Sequence, residues 1–265
     1  MANPVLNEKT FNTARAGSGG WAAPDPSVAY APAGVRDKTN EMTVNGTLGA
    51  TAILLAILFT TGIVGWRQVH VSRGEVTSFP TWTLIGIIGA IAIAWITSSR
   101  PQIARITGPI YAALEGLIVG AISHVYNVRW NGIVVQAVGA TVAVAAVMLV
   151  VQRTGIIKVT DRMRRTVMIA TLGVMLLYGV SIIIHLFGAS VPIINDATPI
   201  GILFSVLVAG LAAFRLLIDI DFIDRQAKAG APKSMEWYGA FALTVTLVWL
   251  YLEILRLLSK LQSRR

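Results

Sequence analysis

Seven apolar blocks, each near the length of one bilayer crossing, most limit what this chain can fold into. They run over about Gly46–Trp66, Pro80–Ser98, Pro109–Tyr126, Gly132–Val151, Thr166–Phe187, Thr198–Ile218 and Trp237–Leu258. A helix needs about 20 apolar residues to cross about 30 Å of hydrocarbon. None of the blocks alternates apolar with polar residues as a barrel strand would, so helices are the expected form. Trp66, Trp82, Trp95, Trp130 and Trp237 fall at block ends, where indole rings favour the membrane interface. The expected fold class is therefore an all-α integral membrane protein. Its membrane domain is a seven-helix bundle over residues 46–265, behind a flexible tail over residues 1–45.

Composition agrees. Hydrophobic residues make up 55% of the chain and charged residues only 13%, roughly half the charged share of a soluble domain. The net charge of +9 comes largely from Lys and Arg flanking the apolar blocks, where basic residues set topology and meet anionic lipid. No basic patch is interleaved with aromatics, which argues against a nucleic-acid partner. The chain has no cysteine, so disulfides, thiolate nucleophiles and Cys-ligated zinc are excluded.

The tail carries Lys9, Arg15, Arg36 and Lys38 without an apolar core, which is not the pattern of a signal peptide. Residues 16–34, AGSGGWAAPDPSVAYAPAG, are low in complexity and read as extended or disordered. Trp21 and Tyr30 could act as docking anchors, or the segment could be a solvated tether.

Basic residues in the connections set the expected orientation. With the tail in the cytoplasm, the cytoplasmic loops hold Arg100, Arg105, Arg153, Lys158, Arg162, Arg164, Arg165, Arg225, Lys228 and Lys233, against Arg67, Arg73 and Arg129 outside. The bias places the N-terminus in the cytoplasm. Arg256, Lys260, Arg264 and Arg265 run against it, since seven full crossings put them outside. Either the last segment is re-entrant or the rule yields at the final helix; seven full crossings are the preferred reading.

Small residues recur inside the spans. Gly116 and Gly120 form a Gly-xxx-Gly pair, and Gly86, Gly89, Gly139 and Gly210 lie in other spans. Such residues let backbones approach closely in lipid, so a compact bundle is expected.

Ionisable groups at membrane depth are costly and are functional candidates by default. Glu115 lies mid-span, Arg215, Asp219 and Asp221 near the end of the sixth span, and Glu253 and Arg256 in the last. Arg215–Asp219 and Asp221–Arg225 are four residues apart and Glu253–Arg256 three, spacings that bring helical side chains together. Neutralised pairs that hold helices in register would explain them equally well. Glu115 has no partner on its own helix; it must find one across the bundle or stay protonated.

His124 and His185 lie near span ends without a His-Glu-x-x-His pattern or a second His at metal spacing, so they read as interfacial packing. No Gly-rich phosphate loop, Ser/His/Asp set or nucleotide fingerprint occurs. No enzyme activity, bound metal or cofactor is expected.

Several stretches carry a resemblance. They are YAALEGLIVGAISHVY and NGIVVQAVGAT in the third and fourth spans, DIDFIDRQAKAGAPKSMEWYGAF after the sixth, LTVTLVWLYLEILRLLS in the last, and the opening NPVLNEKTF. Together they resemble the bacterial branch of the transmembrane Bax-inhibitor-motif family, above all its actinobacterial-type members. The resemblance implies six helices around a hydrophobic last helix and a cation leak, calcium above all, gated by pH. It also implies a carboxylate pair joining the last two helices. Asp219 matches the first carboxylate. The second falls ten residues before Arg256, at Thr246, which cannot ionise. Asp221 and Glu253 are the candidates to replace it. A basic residue that the family carries at the end of its second helix falls near Arg100.

Two functions follow from the resemblance. One is a pH-sensitive calcium or cation leak channel, in which Asp219, Asp221, Glu253 and Glu115 form the ion path or gate and Arg215, Arg256 and Arg100 are charge partners. The other is a regulatory protein that binds a membrane partner, such as a quality-control protease, through its tail. A transporter would call for paired broken helices or an internal repeat, and neither is present.

Overall fold

The computed structural model describes residues 40–72, 75–78, 80–187 and 196–264, without the side chains of residues 72, 75, 185 and 186. The tail residues 1–39, with Trp21 and Tyr30, Arg265 and the His185 side chain lie outside the described residues.

Seven helices follow the seven apolar blocks: α1 Val44–Arg67, α2 Trp82–Ser99, α3 Ala104–Arg129, α4 Ile133–Thr154, α5 Asp161–Leu186, α6 Pro199–Lys228 and α7 Met235–Gln262. All seven are long and apolar enough to cross a membrane. A short antiparallel hairpin, β1 His70–Ser72 with β2 Glu75–Ser78, joins α1 to α2, and a 3-10 turn at Pro101–Ile103 leads into α3. Several helices outrun their apolar blocks, because charged turns continue the backbone ladder beyond the hydrocarbon. At 30 residues, α6 is the longest; its last turns carry Asp221, Asp224, Arg225 and Lys228.

The last helix lies at the centre. It packs against α1, α3, α4 and α6, while α2 lies against α3 and α5 against α6. Half of the most apolar stretch of α7 is buried inside the protein, against 6% for α5. One apolar core surrounds α7 with Ala212, Ala213 and Leu216 of α6 and Ile133 and Ala137 of α4. A second joins Ala50 and Leu54 of α1, Tyr111 and Ala112 of α3 and Phe241 of α7.

The tightest seam runs between α1 and α3, and two glycines explain it. A Cβ on Gly116 would collide with the Thr61 side chain and the Leu58 backbone, and one on Gly120 with the Gly62 carbonyl. The expected close approach of Gly116 and Gly120 is thus present. Gly139 and Gly210 face open space and have no such role inside the protein.

The chain enters the bundle at Asn40. Glu41 bridges Pro232, the Met42 N–H donates to the Ala231 carbonyl at 2.7 Å, and the Lys233 N–H donates to the Asn40 carbonyl at 2.9 Å. Thr43 caps α1 by accepting from the Gly46 N–H at 2.9 Å. The Thr43 N–H and hydroxyl in turn donate to Glu236 Oε1 at 3.0 and 2.8 Å. The entry of α1 and the start of α7 are therefore fastened to each other on the tail side of the bundle.

Candidate functional site

The ionisable residues form three centres on the last two helices. The first lies where α6 and α7 run antiparallel past each other. Asp219 is 6% exposed and sits nine residues before the end of α6, roughly 14 Å along the axis at about 1.5 Å per residue. Arg215, one turn earlier, approaches Asp219 Oδ1 with its Nε at 3.2 Å. The Thr246 hydroxyl on α7 donates to Asp219 Oδ2 at 2.6 Å. A buried carboxylate is tolerable when charged and hydrogen-bonding groups reach both oxygens, and here one group comes from each helix.

Thr246 therefore stands opposite Asp219, where the resemblance placed a second carboxylate. Neither residue considered as its replacement reaches that place. Asp221 turns toward α5, where Arg164 Nη2 donates to its Oδ2 at 2.7 Å, and Arg225 Nη2 lies 2.8 Å from the same oxygen. Two residues further along a helix is about 200° around it, which aims Asp221 away from α7. Glu253 is two turns beyond Thr246 on α7 and belongs to another centre.

In that second centre Glu253 is 1% exposed. Arg256 Nη1 donates to both of its oxygens at 3.0 Å, Trp249 Nε1 donates to Oε1 at 3.1 Å, and the Tyr178 hydroxyl of α5 donates to Oε2 at 3.0 Å. Arg256 Nη1 also donates to the Tyr178 oxygen at 2.6 Å, and its guanidinium lies over that ring at 4.6 Å. Every Glu253 oxygen is met, so this centre ties α5 to α7. Lys260, one turn on, donates to the Gly201 carbonyl and the Ser205 hydroxyl of α6, both at 2.9 Å. Two of the four C-terminal cations that run against the topology count are thus engaged inside the bundle.

The third centre is Asp221 with Arg164 and Arg225, beside the Asp224–Lys228 pair at 2.6 Å. It joins α5 to α6 on the tail side.

The other candidates stand apart. Glu115 is half-buried on α3, one turn after Tyr111, which packs edge-on against Phe241 at 5.1 Å. Among the described residues Glu115 is in no ion pair, nor is Arg100, which is exposed at the end of α2. The His124 ring stacks on Trp66 at 4.5 Å, and its Nδ1 lies 2.7 Å from the Trp66 carbonyl. No group of three or more metal-binding side chains occurs among the described residues.

The same-helix pairs were legible by spacing: Arg215–Asp219, Asp221–Arg225 and Glu253–Arg256 all form. The contacts from other helices were not. Thr246, Tyr178, Arg164 and Glu236 reach their partners across 27 to 193 residues of sequence. Trp249, four residues before Glu253, carried a spacing signal that charge alone does not reveal.

A seven-helix bundle whose last two helices hold buried, multiply bonded carboxylates defines a polytopic membrane protein with ionisable centres between its helices. The family model described as Bax inhibitor 1 like matches residues 3–263, and the chain belongs to that family. No curated protein and no solved structure matches it.

Proposed function

We infer that the protein is a pH-sensitive cation leak channel of the bacterial cytoplasmic membrane, with calcium as its principal ion and its N-terminus in the cytoplasm. The observation that carries this reading is the buried Asp219 on the seam between α6 and the central α7. Ionised, Asp219 holds Arg215 on its own helix and Thr246 on the facing one. Protonation removes the charge that attracts Arg215 and weakens the acceptor that Thr246 uses. The seam between α6 and α7 is then unfastened at Asp219, leaving the Lys260 contacts at its far end, and helix packing shifts. With a hydroxyl at position 246 there is no two-carboxylate site to share a proton here, so the pH response rests on one carboxyl and its arginine.

The experiment is calcium entry into dye-loaded liposomes that contain the purified protein, measured across pH. Flux that changes with pH supports the channel. No flux at any pH contradicts it and favours the second reading, a regulatory protein that binds a membrane partner such as a quality-control protease through its tail. That reading draws on the fastening of Asn40–Thr43 to residues 231–236, through which force on the tail would reach the start of α7. Deleting residues 1–39 would then abolish co-purification of the partner while leaving the bundle folded.

A further inference from the structure

A cavity of about 330 Å³ opens at the end of the bundle opposite the start of α1, lined by Tyr126, Arg129, Trp130, Arg256, Ser259 and Lys260, with Val125. It collects the ends of α3 and α7 and the turn into α4. Three of its seven lining residues are cations and none is acidic. Arg129 is exposed, lies in no ion pair among the described residues, and sits 5.3 Å above the Trp130 ring. Arg256 reaches Glu253 and Tyr178 through Nη1 alone and keeps 28% of its side chain accessible. Lys260 turns its ammonium to Gly201 and Ser205, and its charge is partly offset by the nearby Glu253 and Asp196. Trp130 and Tyr126 mark the level of the membrane interface.

We propose that this cavity binds the phosphate of an anionic phospholipid from the leaflet opposite the start of α1. Arg129 is the primary contact, and the accessible nitrogens of Arg256 are the second. Guanidinium groups bind phosphate through paired, charge-assisted hydrogen bonds. The cavity opens at the depth where lipid headgroups lie, so a lipid is presented to it at high local concentration, whereas a soluble phosphate must arrive from dilute solution.

The test is the melting temperature of the delipidated full-length protein in neutral detergent, titrated with dioctanoyl phosphatidylglycerol, dioctanoyl phosphatidylcholine or inorganic phosphate. The expected result is a saturable rise with phosphatidylglycerol only. Arg129→Gln should weaken the apparent lipid affinity, read against its own lipid-free midpoint, roughly tenfold or more, the loss of one charged hydrogen-bonding group. Arg67→Gln, on the same face but outside the cavity, should leave that affinity as it is. Equal rises with both lipids, or an undiminished response in Arg129→Gln, would overturn the site. A rise with inorganic phosphate matching that with phosphatidylglycerol would overturn the lipid as its source.

Discussion

The Thr246 hydroxyl on α7 donates to the Asp219 carboxylate on α6 across 2.6 Å, so the residue opposite Asp219 on the central helix is one that cannot ionise. The bond is buried on both sides, and its loss leaves a carboxylate oxygen without its inter-helix partner. Thr246→Val keeps the side-chain shape and removes the donor. It should destabilise the protein by about 1.5–3 kcal/mol, the usual range for a hydrogen bond to a charged group. Thermal unfolding in detergent measures it; an unchanged midpoint would show that the bond contributes nothing to the seam.

Thr246→Asp should place a second carboxyl within hydrogen-bonding reach of Asp219. Two carboxyls that close in low dielectric share a proton and titrate as a pair. Liposome calcium flux in this variant should change at a different pH from the wild type. A coincident profile would mean that position 246 does not take part in the response.

Glu253 answers to a different expectation. Its oxygens are met by Arg256, Trp249 and Tyr178, so Glu253→Gln leaves the Arg256 guanidinium without its counter-charge inside the bundle. Breaking a buried pair from one side costs about 3–5 kcal/mol. The cost here should fall at or below the lower end, because Arg256 is partly accessible. A lowered melting temperature with the pH profile of flux intact is the predicted outcome. A lost pH profile at full stability would move the gate to Glu253.

The α1–α3 seam gives a prediction that needs no function. Gly120→Ala drives a methyl group into the Gly62 carbonyl and should lower the melting temperature markedly, whereas Gly210→Ala meets open space. The second change should be neutral or mildly stabilising, by up to about 1 kcal/mol, since Ala is the better helix former. Equal effects at the two positions would contradict the packing.

Much of this architecture was legible because lipid imposes its length on the sequence. The apolar blocks placed α1 to α7, and the structure lengthens them mainly at charged turns such as Asp221–Lys228, which hydropathy assigns to loops. The Gly116–Gly120 pair announced a close seam but not its partner, since one helix's sequence does not say which backbone approaches it. At the site, spacing on one helix revealed Arg215 beside Asp219 and Arg256 beside Glu253. It could not reveal Thr246 beside Asp219 or Tyr178 beside Glu253, because those meetings depend on how α5, α6 and α7 pack. Charge points to Asp221 and Glu253 as stand-ins, whereas the residue opposite Asp219 is a neutral donor.

Sidedness can be read on this cysteine-free chain. Thr160→Cys lies in the α4–α5 connection and Asn131→Cys in the α3–α4 turn, at opposite ends of α4. Both positions are exposed. An impermeant thiol reagent added to intact cells should label position 131 and spare position 160. The reverse pattern would invert the orientation drawn from the basic-residue count.

The central claim is that the ionisation of Asp219 controls cation passage. Its most direct measurement is pH-dependent calcium flux in liposomes for Asp219→Asn, beside Asp221→Asn as a carboxylate of the same helix held by Arg164 and Arg225 instead. Asparagine keeps the volume and can still accept from Thr246, so the seam should remain folded. The account predicts that Asp219→Asn loses most of the pH dependence while Asp221→Asn retains it. A pH profile in Asp219→Asn that superimposes on the wild type would contradict it.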